Sequence, residues 1–467
     1  MRPESFEFLA NACGARLTGC PGLTVSDVKI DSREAKAGDL FVAVKGPNND
    51  GHRYMESAYA QGCRCFLVSD GDAANALVKA HPDACCALTD DTQYAFELMA
   101  KGYIDRFDLI KIAVTGSTGK TSTKALTAAV MSAKYRTVCS RKNYNTHLGI
   151  AMTCFLADET TECLVLEMGM DRHNELHDYC EWARPDAALI TNVGVVHMEY
   201  IGSREGIAIE KLKVADFFDG SQPLVCNCDS PFLSREEIAR LSSGKFRLVM
   251  AGEGPEAEIK ISDITGGGLE GTGFTLSCGE VSQRFELPFP GKHNAHNGAL
   301  AAAMGLQFGI SLEKAAKAMP KADLEGKRLE ICRLAGAVLV DSSYNANPDS
   351  MASAIRTLAD IPAERKIAVV ADMRELGDAT EESHVEIGRL ASELGIDTML
   401  AIGPNRAYYA EGTRLGPNPV TFMSFEKAED AESTVRALLK PGAAMLIKGS
   451  LSTNVHCLAE KIRAEFE

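Results

Sequence analysis

No apolar run in the 467-residue chain approaches the ~20 residues that a membrane-spanning helix needs. The opening segment, MRPESFEFLANACGARL, carries acids and lacks the apolar stretch of a secretory signal, so it reads as an amphipathic helix in a cytoplasmic protein. Positive charge is also short. Forty-nine Lys and Arg face 64 Asp and Glu, for a net charge of −15, which argues against a nucleic-acid-binding surface. A phosphorylated ligand must then be held by local devices: backbone amides, a few basic side chains and a divalent cation. There is no internal repeat of solenoid length and no low-complexity segment. The 15 cysteines lack a second pair at zinc-finger spacing. Cys63/Cys65 and Cys226/Cys228, each inside an apolar strand-like run, are therefore expected to be reduced, buried thiols.

What is present is a soluble globular composition, 45% hydrophobic and 24% charged, in a chain long enough for about three domains. Residues 1–107 mix short strands and helices. From Leu109 a strand–helix alternation sets in (Ile110–Thr115, then Cys163–Met168, Ala187–Val193 and Leu224–Asn227), predicting a mostly parallel sheet covered by helices. Between about Phe246 and Pro290 a period-two pattern with glycine punctuation predicts an antiparallel hairpin insert. A third unit begins near Leu324, with a hairpin followed by alternating helices and strands, as in an open doubly wound sheet. The expected fold class is α/β in three domains: 1–107, 108–323 and 324–467.

The most informative segment is Ile112-Ala113-Val114-Thr115-Gly116-Ser117-Thr118-Gly119-Lys120-Thr121-Ser122. A strand, a glycine loop and a helix N-terminus bring backbone N–H groups and the positive end of a helix dipole to one point. Gly116 and Gly119 admit phosphate closely, Lys120 can reach the β- and γ-phosphates, and the Thr121 hydroxyl can meet magnesium. Val114 stands where the strict pattern has its first glycine. The loop alone does not choose between kinase, ATPase, GTPase and ligase. Glu167 ends the next apolar strand and His197 follows another, so both should arrive at the sheet edge that carries the loop. Read without further context, Glu167 is equally a surface acid, His197 a structural histidine, and Lys211 a solvated helix lysine.

Taken together these features resemble the Mur ligase family over essentially the whole chain. Asp31-Ser32-Arg33, Gly38 to Gly46 and Asp50-Gly51-His52 are similar to the family's UDP-sugar-binding domain. Lys142-Asn143-Tyr144-Asn145, Glu167-Met168-Gly169, Asn192 to His197, and Pro290 to Asn297 follow in the family's order. Tyr344-Asn345-Ala346-Asn347-Pro348-Asp349-Ser350-Met351 and Ala371-Asp372-Met373-Arg374-Glu375-Leu376-Gly377 resemble the branch that adds D-alanyl-D-alanine. The Asp-Asn-Pro-Arg motif of the sibling that adds a diamino acid is missing from the sequence. A folate-type relative usually lacks the first domain, and a regulatory nucleotide-binding module has no need of a second metal site.

The resemblance implies a monomeric ATP-dependent ligase of cell-wall precursor synthesis, acting on UDP-N-acetylmuramoyl-tripeptide and D-alanyl-D-alanine. It gives ATP to Gly116, Ser117, Thr118, Gly119, Lys120, Thr121 and Ser122, with Asn294 and Asn297 near the adenine and Asp341 near the ribose. Arg328 would reach the nucleotide from the third domain. Two Mg2+ ions would be held by Thr121, Glu167, His197 and a carbamylated Lys211. Ser32, Arg33, Asn143, Asn345 and Asn347 would be substrate contacts. Asp341-Ser342, Ser450-Leu451 and Thr146 depart from the family's usual residues.

Overall fold

The computed structural model describes every residue except 47, 48, 142, 325–328, 335 and 467. Two compact units result: Met1–Ala113 with Lys134–Gly169 and Leu176–Ala187, and Val114–Ala133 with Met170–Glu175 and Ala188–Glu467.

The first unit contains a five-stranded sheet in the order Arg16–Gly19, Cys85–Leu88, Cys65–Val68, Asp39–Val42, Asp27–Lys29; its first pair is antiparallel and the rest are parallel. The central strands are apolar on both faces, as expected where helices cover a parallel sheet. Phe41, Phe66, Val68 and Leu77 form part of the core on one side. Helices start where aspartates accept from free backbone N–H groups: Asp70 caps Gly71–Ala80 and Asp91 caps Thr92–Ile104. The Thr92–Ile104 helix explains why residues beyond 134 join this unit. Its Phe96 stacks on Phe155 at 5.5 Å, and the Tyr103 hydroxyl donates to the Ala157 carbonyl at 2.6 Å. Buried Glu97 lies 2.6 Å from Nδ1 of His147. The parallel pair Thr137–Cys139 and Cys163–Glu167 completes the unit.

In the second unit, the strands Ala187–Ile190, Asp219–Asn227, Lys245–Gly252 and Ile259–Gly266 pair in parallel in that order. Only Thr272–Cys278 and Val281–Leu287 are added antiparallel. The antiparallel insert expected from Phe246 is thus confined to the last strands. Period-two alternation reports that one face of a strand is exposed; it carries no information on the direction of the neighbour. The strand predicted as Ala187–Val193 stops at Ile190, which frees Asn192 and the residues after it to form a loop.

The same unit carries a six-stranded sheet ordered Glu330–Leu334, Ala337–Ser342, Ala443–Lys448, Arg365–Ala371, Thr398–Ile402, Thr421–Phe425. The first pair is antiparallel and the others are parallel. Separate apolar cores on its two faces, one around Leu339, Val369 and Ile447 and one around Val340, Val370 and Leu446, make it doubly wound. Asn347 and Ser350 cap the helix Pro348–Asp360 reciprocally, and Pro348 fills the first turn. Cys63, Cys65 and Cys226 are buried thiols, as expected, whereas Cys228 is only half-buried.

Candidate active site

Gly116 and Gly119 adopt φ of 145° and 76°, and the helix Lys120–Met131 begins at once. A methyl at Gly116 would sit 1.8 Å from Oγ1 of Thr191, so only glycine lets the loop lie against that residue. Thr191 donates its backbone N–H to Thr115 O at 2.9 Å and its hydroxyl to Thr118 O at 2.5 Å. Asn192 accepts from the Thr118 amide at its side chain (2.8 Å) and from the Ser117 amide at its carbonyl (3.0 Å). The Gly194 amide donates to Ser117 Oγ at 2.8 Å. Lys120 folds back over the loop, donating Nζ to Gly116 O at 2.8 Å. Thr191, which the sequence does not single out, directly follows the strand Ala187–Ile190.

Asn294 and Asn297 lie beneath this loop. Asn297 Oδ1 accepts from the Thr123 hydroxyl at 3.1 Å, its Nδ2 donates to Asn294 Oδ1 at 3.1 Å, and Asn294 Nδ2 donates to Pro290 O at 2.8 Å. Both amides are tied to the protein in this arrangement, and a methyl at Gly119 would come within 2.8 Å of Asn297 Oδ1.

The solvated helix lysine expected at position 211 is instead 1% exposed. Ser203 caps its helix, Arg204–Leu212, and the helix turns the face bearing Ile207, Ala208 and Lys211 inward. Burial strips water from the ammonium group and the charge of Lys120 repels it. These effects outweigh the pull of Asp171 and hold the pKa well below the usual lysine value. The amine is therefore easier to deprotonate than a solvated lysine, and the uncharged form is the one that adds carbon dioxide to become a carbamate.

His197 adopts a left-handed backbone, φ 65°, and its Nδ1 lies 2.7 Å from Oε2 of Glu375 and 3.4 Å from Oδ1 of Asp171. The imidazole holds the Glu375 carboxyl below the usual carboxylate range. In the first unit Glu167, 1% exposed, accepts at Oε1 from Asn145 Nδ2 (3.0 Å), while its amide donates to Ser140 Oγ. Among the described residues no group of three or more His, Cys, Asp and Glu could hold a metal ion. The Thr121 hydroxyl and the His197 imidazole of the second unit are donors of the kind that magnesium takes. Burial of Lys211 favours the uncharged amine that carbamate formation needs.

Other expected site residues are spread over both units. In the first, Ser32 is buried, Arg33 is exposed and paired with Asp31 (2.6 Å), and Asn143 is exposed. In the second, Asp341 is fully buried and accepts at Oδ1 from the Ser343 amide and hydroxyl. The Asn345 carbonyl accepts from Lys448 Nζ at 2.8 Å, and Asn347 is engaged in its helix cap. Arg328 lies outside the described residues.

His293 opens the helix His293–Gln307, and its Nδ1 lies 2.7 Å from Ser353 Oγ. Burial, aided by the charges of His296 and Lys448, lowers its pKa from 6.5 to about 4. The unfolded chain therefore binds a proton that the native ring refuses between those values. The stabilisation is complete above about pH 6.5 and is lost as pH falls towards 4, by at most about 3 kcal/mol. Denaturant melts at pH 7 and pH 5 should show this decline, and His293→Gln should flatten it.

The Mur ligase middle domain matches residues 114–305, the Mur ligase glutamate ligase domain 327–451, and the Mur ligase family catalytic domain 24–90. The UDP-N-acetylmuramoyl-tripeptide–D-alanyl-D-alanine ligase of Bacillus subtilis is 33% identical over 91% of this chain and 90% of its own. A crystal structure of MurF from Acinetobacter baumannii superposes with a TM-score of 0.88 at 26% identity, covering 99% of both chains. The Thermotoga maritima MurF ligase in complex with ADP, 23% identical, shares the fold with a TM-score of 0.78 over 95% of this chain and 98% of its own. The chain therefore belongs to the Mur ligase family.

Proposed function

We propose that this enzyme joins D-alanyl-D-alanine to UDP-N-acetylmuramoyl-tripeptide, forming a C–N bond at the expense of ATP. The observation that carries the reading is the resemblance to the Bacillus ligase of that name over nine tenths of the chain. The Gly116–Thr121 loop supports the ATP chemistry.

A carboxylate is a poor electrophile because an oxide anion would have to leave. Transfer of the γ-phosphoryl group of ATP to the carboxylate gives an acyl phosphate and ADP. The dipeptide amine then attacks the carbonyl carbon, and the tetrahedral intermediate expels phosphate. Two anions meet in the first step. Lys120 and the amides at the start of its helix are the groups of this chain that offset the developing charge. Magnesium, when bound, would supply further positive charge on the phosphates, with Thr121, Glu167, His197 and a carbamylated Lys211 as its holders. Arg328 would bring a cation from the third domain, and the three domains would divide at about 107 and 323. Asn294, Asn297 and Asp341 retain the nucleotide roles implied by the resemblance; Ser32, Arg33, Asn143, Asn345 and Asn347 retain the substrate ones.

No helix among the described residues is long and apolar enough to cross a membrane. A nucleotide-linked precursor and ATP as substrates support a cytoplasmic site of action. Phosphate release measured across a panel of UDP-muramoyl peptides and dipeptides tests the reading. Release should require both UDP-muramoyl-tripeptide and D-alanyl-D-alanine, and release with a free diamino acid in place of the dipeptide would overturn it.

A further inference from the structure

The loop that carries His197 is gripped from two directions. On one side Asn192 and Gly194 are hydrogen-bonded to Ser117 and Thr118 of the phosphate loop. On the other it meets the C-terminal sheet region. A methyl at Gly194 would fall 2.1 Å from Oδ2 of Asp349, in the first turn of helix Pro348–Asp360. Val195 packs against the apolar core that contains Met373 and Leu376, and a methyl at Gly377 would lie 3.4 Å from Cα of Glu199.

Between these points Nδ1 of His197 meets Oε2 of Glu375 in a contact 2.7 Å long. Both of its residues are non-glycine residues in the left-handed region, φ 65° and 61°. Such a conformation persists only where the surroundings impose it, and two of them at the ends of one pair mark a built contact. Asp171, the other carboxylate facing this nitrogen, stands farther off at 3.4 Å and is exposed.

We infer that Glu375 is a positioning residue. Its carboxylate, 2.7 Å from Nδ1 of His197, fixes the plane of the imidazole and leaves Nε2 as the nitrogen offered to a cation. This rests on the proposed role of His197 as a magnesium ligand. Loss of a partner that orients a ligating ring typically weakens metal binding about 10–100-fold. Because Glu375 follows the strand Arg365–Ala371 of the C-terminal sheet, the imidazole is set only when that segment is docked. C-terminal docking and cation affinity are thereby linked.

Mn2+ provides the probe. Free Mn2+ is followed by electron paramagnetic resonance during titration of the full chain with ADP present, for the parent, His197→Ala and Glu375→Gln. The expected result is loss of the tight site in His197→Ala and about a 10–100-fold weaker site in Glu375→Gln. Glu375→Asp should recover part of it. If His197→Ala loses the site while Glu375→Gln keeps parental affinity, the positioning role is overturned and the ligand role stands. If His197→Ala binds like the parent, the ligand reading itself fails. A shift in thermal midpoint alone, with Mn2+ affinity unchanged, would mark Glu375 as a packing contact and overturn the inference.

Discussion

Replacing Lys120 by alanine is expected to lower ATP-dependent ligation by about 10²–10³-fold, the usual effect of deleting one preorganised charge from a site where anions meet. With a net charge of −15 on the chain, phosphate has little long-range attraction to draw on. The charge that matters must stand at the loop itself. Lys120 does so: its ammonium spans the loop at hydrogen-bond distance from Gly116 O, and an incoming phosphate competes for the same donor. Phosphate release under saturating substrates is the measurement, with a thermal melt to establish that the variant folds. A Lys120→Ala protein that kept the parental rate would remove the chemical basis of the proposal.

Lys211→Met should uncouple stability from activity. The parent buries an amine that is starved of water and repelled by Lys120. Below the ordinary lysine pKa the unfolded chain takes up a proton that the native state resists, so this group opposes folding at neutral pH. Methionine fills a similar volume without that penalty. The thermal midpoint should rise, by an amount corresponding to about 1–3 kcal/mol. Ligation should fall by about 10²–10³-fold, because a thioether can neither form a carbamate nor present an anionic oxygen. A buried group that costs stability and serves chemistry is the usual stability–function compromise. Parental turnover in Lys211→Met would show that the buried amine is a packing accident.

Legibility in the sequence followed the physics of each element. The phosphate loop was fully readable because its signal is local: a strand, two glycines with positive φ, and a helix within a dozen residues. The C-terminal strands Arg365–Ala371, Thr398–Ile402 and Ala443–Lys448 were read to the residue, since each is an apolar run between turn residues. The direction of pairing at Lys245–Gly252 was not, because pairing is a non-local property. Nor was the burial of Lys211, whose charged neighbours Glu205, Glu210 and Lys213 look like a solvated face. Glu210 is itself buried, matched there by His173 Nδ1 at 2.9 Å, Lys213 Nζ at 2.7 Å and the Asn174 amide at 2.8 Å. Such compensation comes from distant segments and leaves no periodicity to read. Glu375 sat inside a quoted motif, but its partner lies 178 positions earlier, at His197.

The fate of the thiols has a practical side. Of fifteen cysteines, Cys457 alone is exposed, on the helix Val455–Phe466. Deep thiols such as Cys86, Cys154 and Cys163 are pushed up to about 12 by burial and stay protonated, hence inert to alkylation at neutral pH. Six further cysteines are half-buried, so Cys457 becomes a selective attachment point for a dye or spin label on the C-terminal sheet domain once those six are replaced.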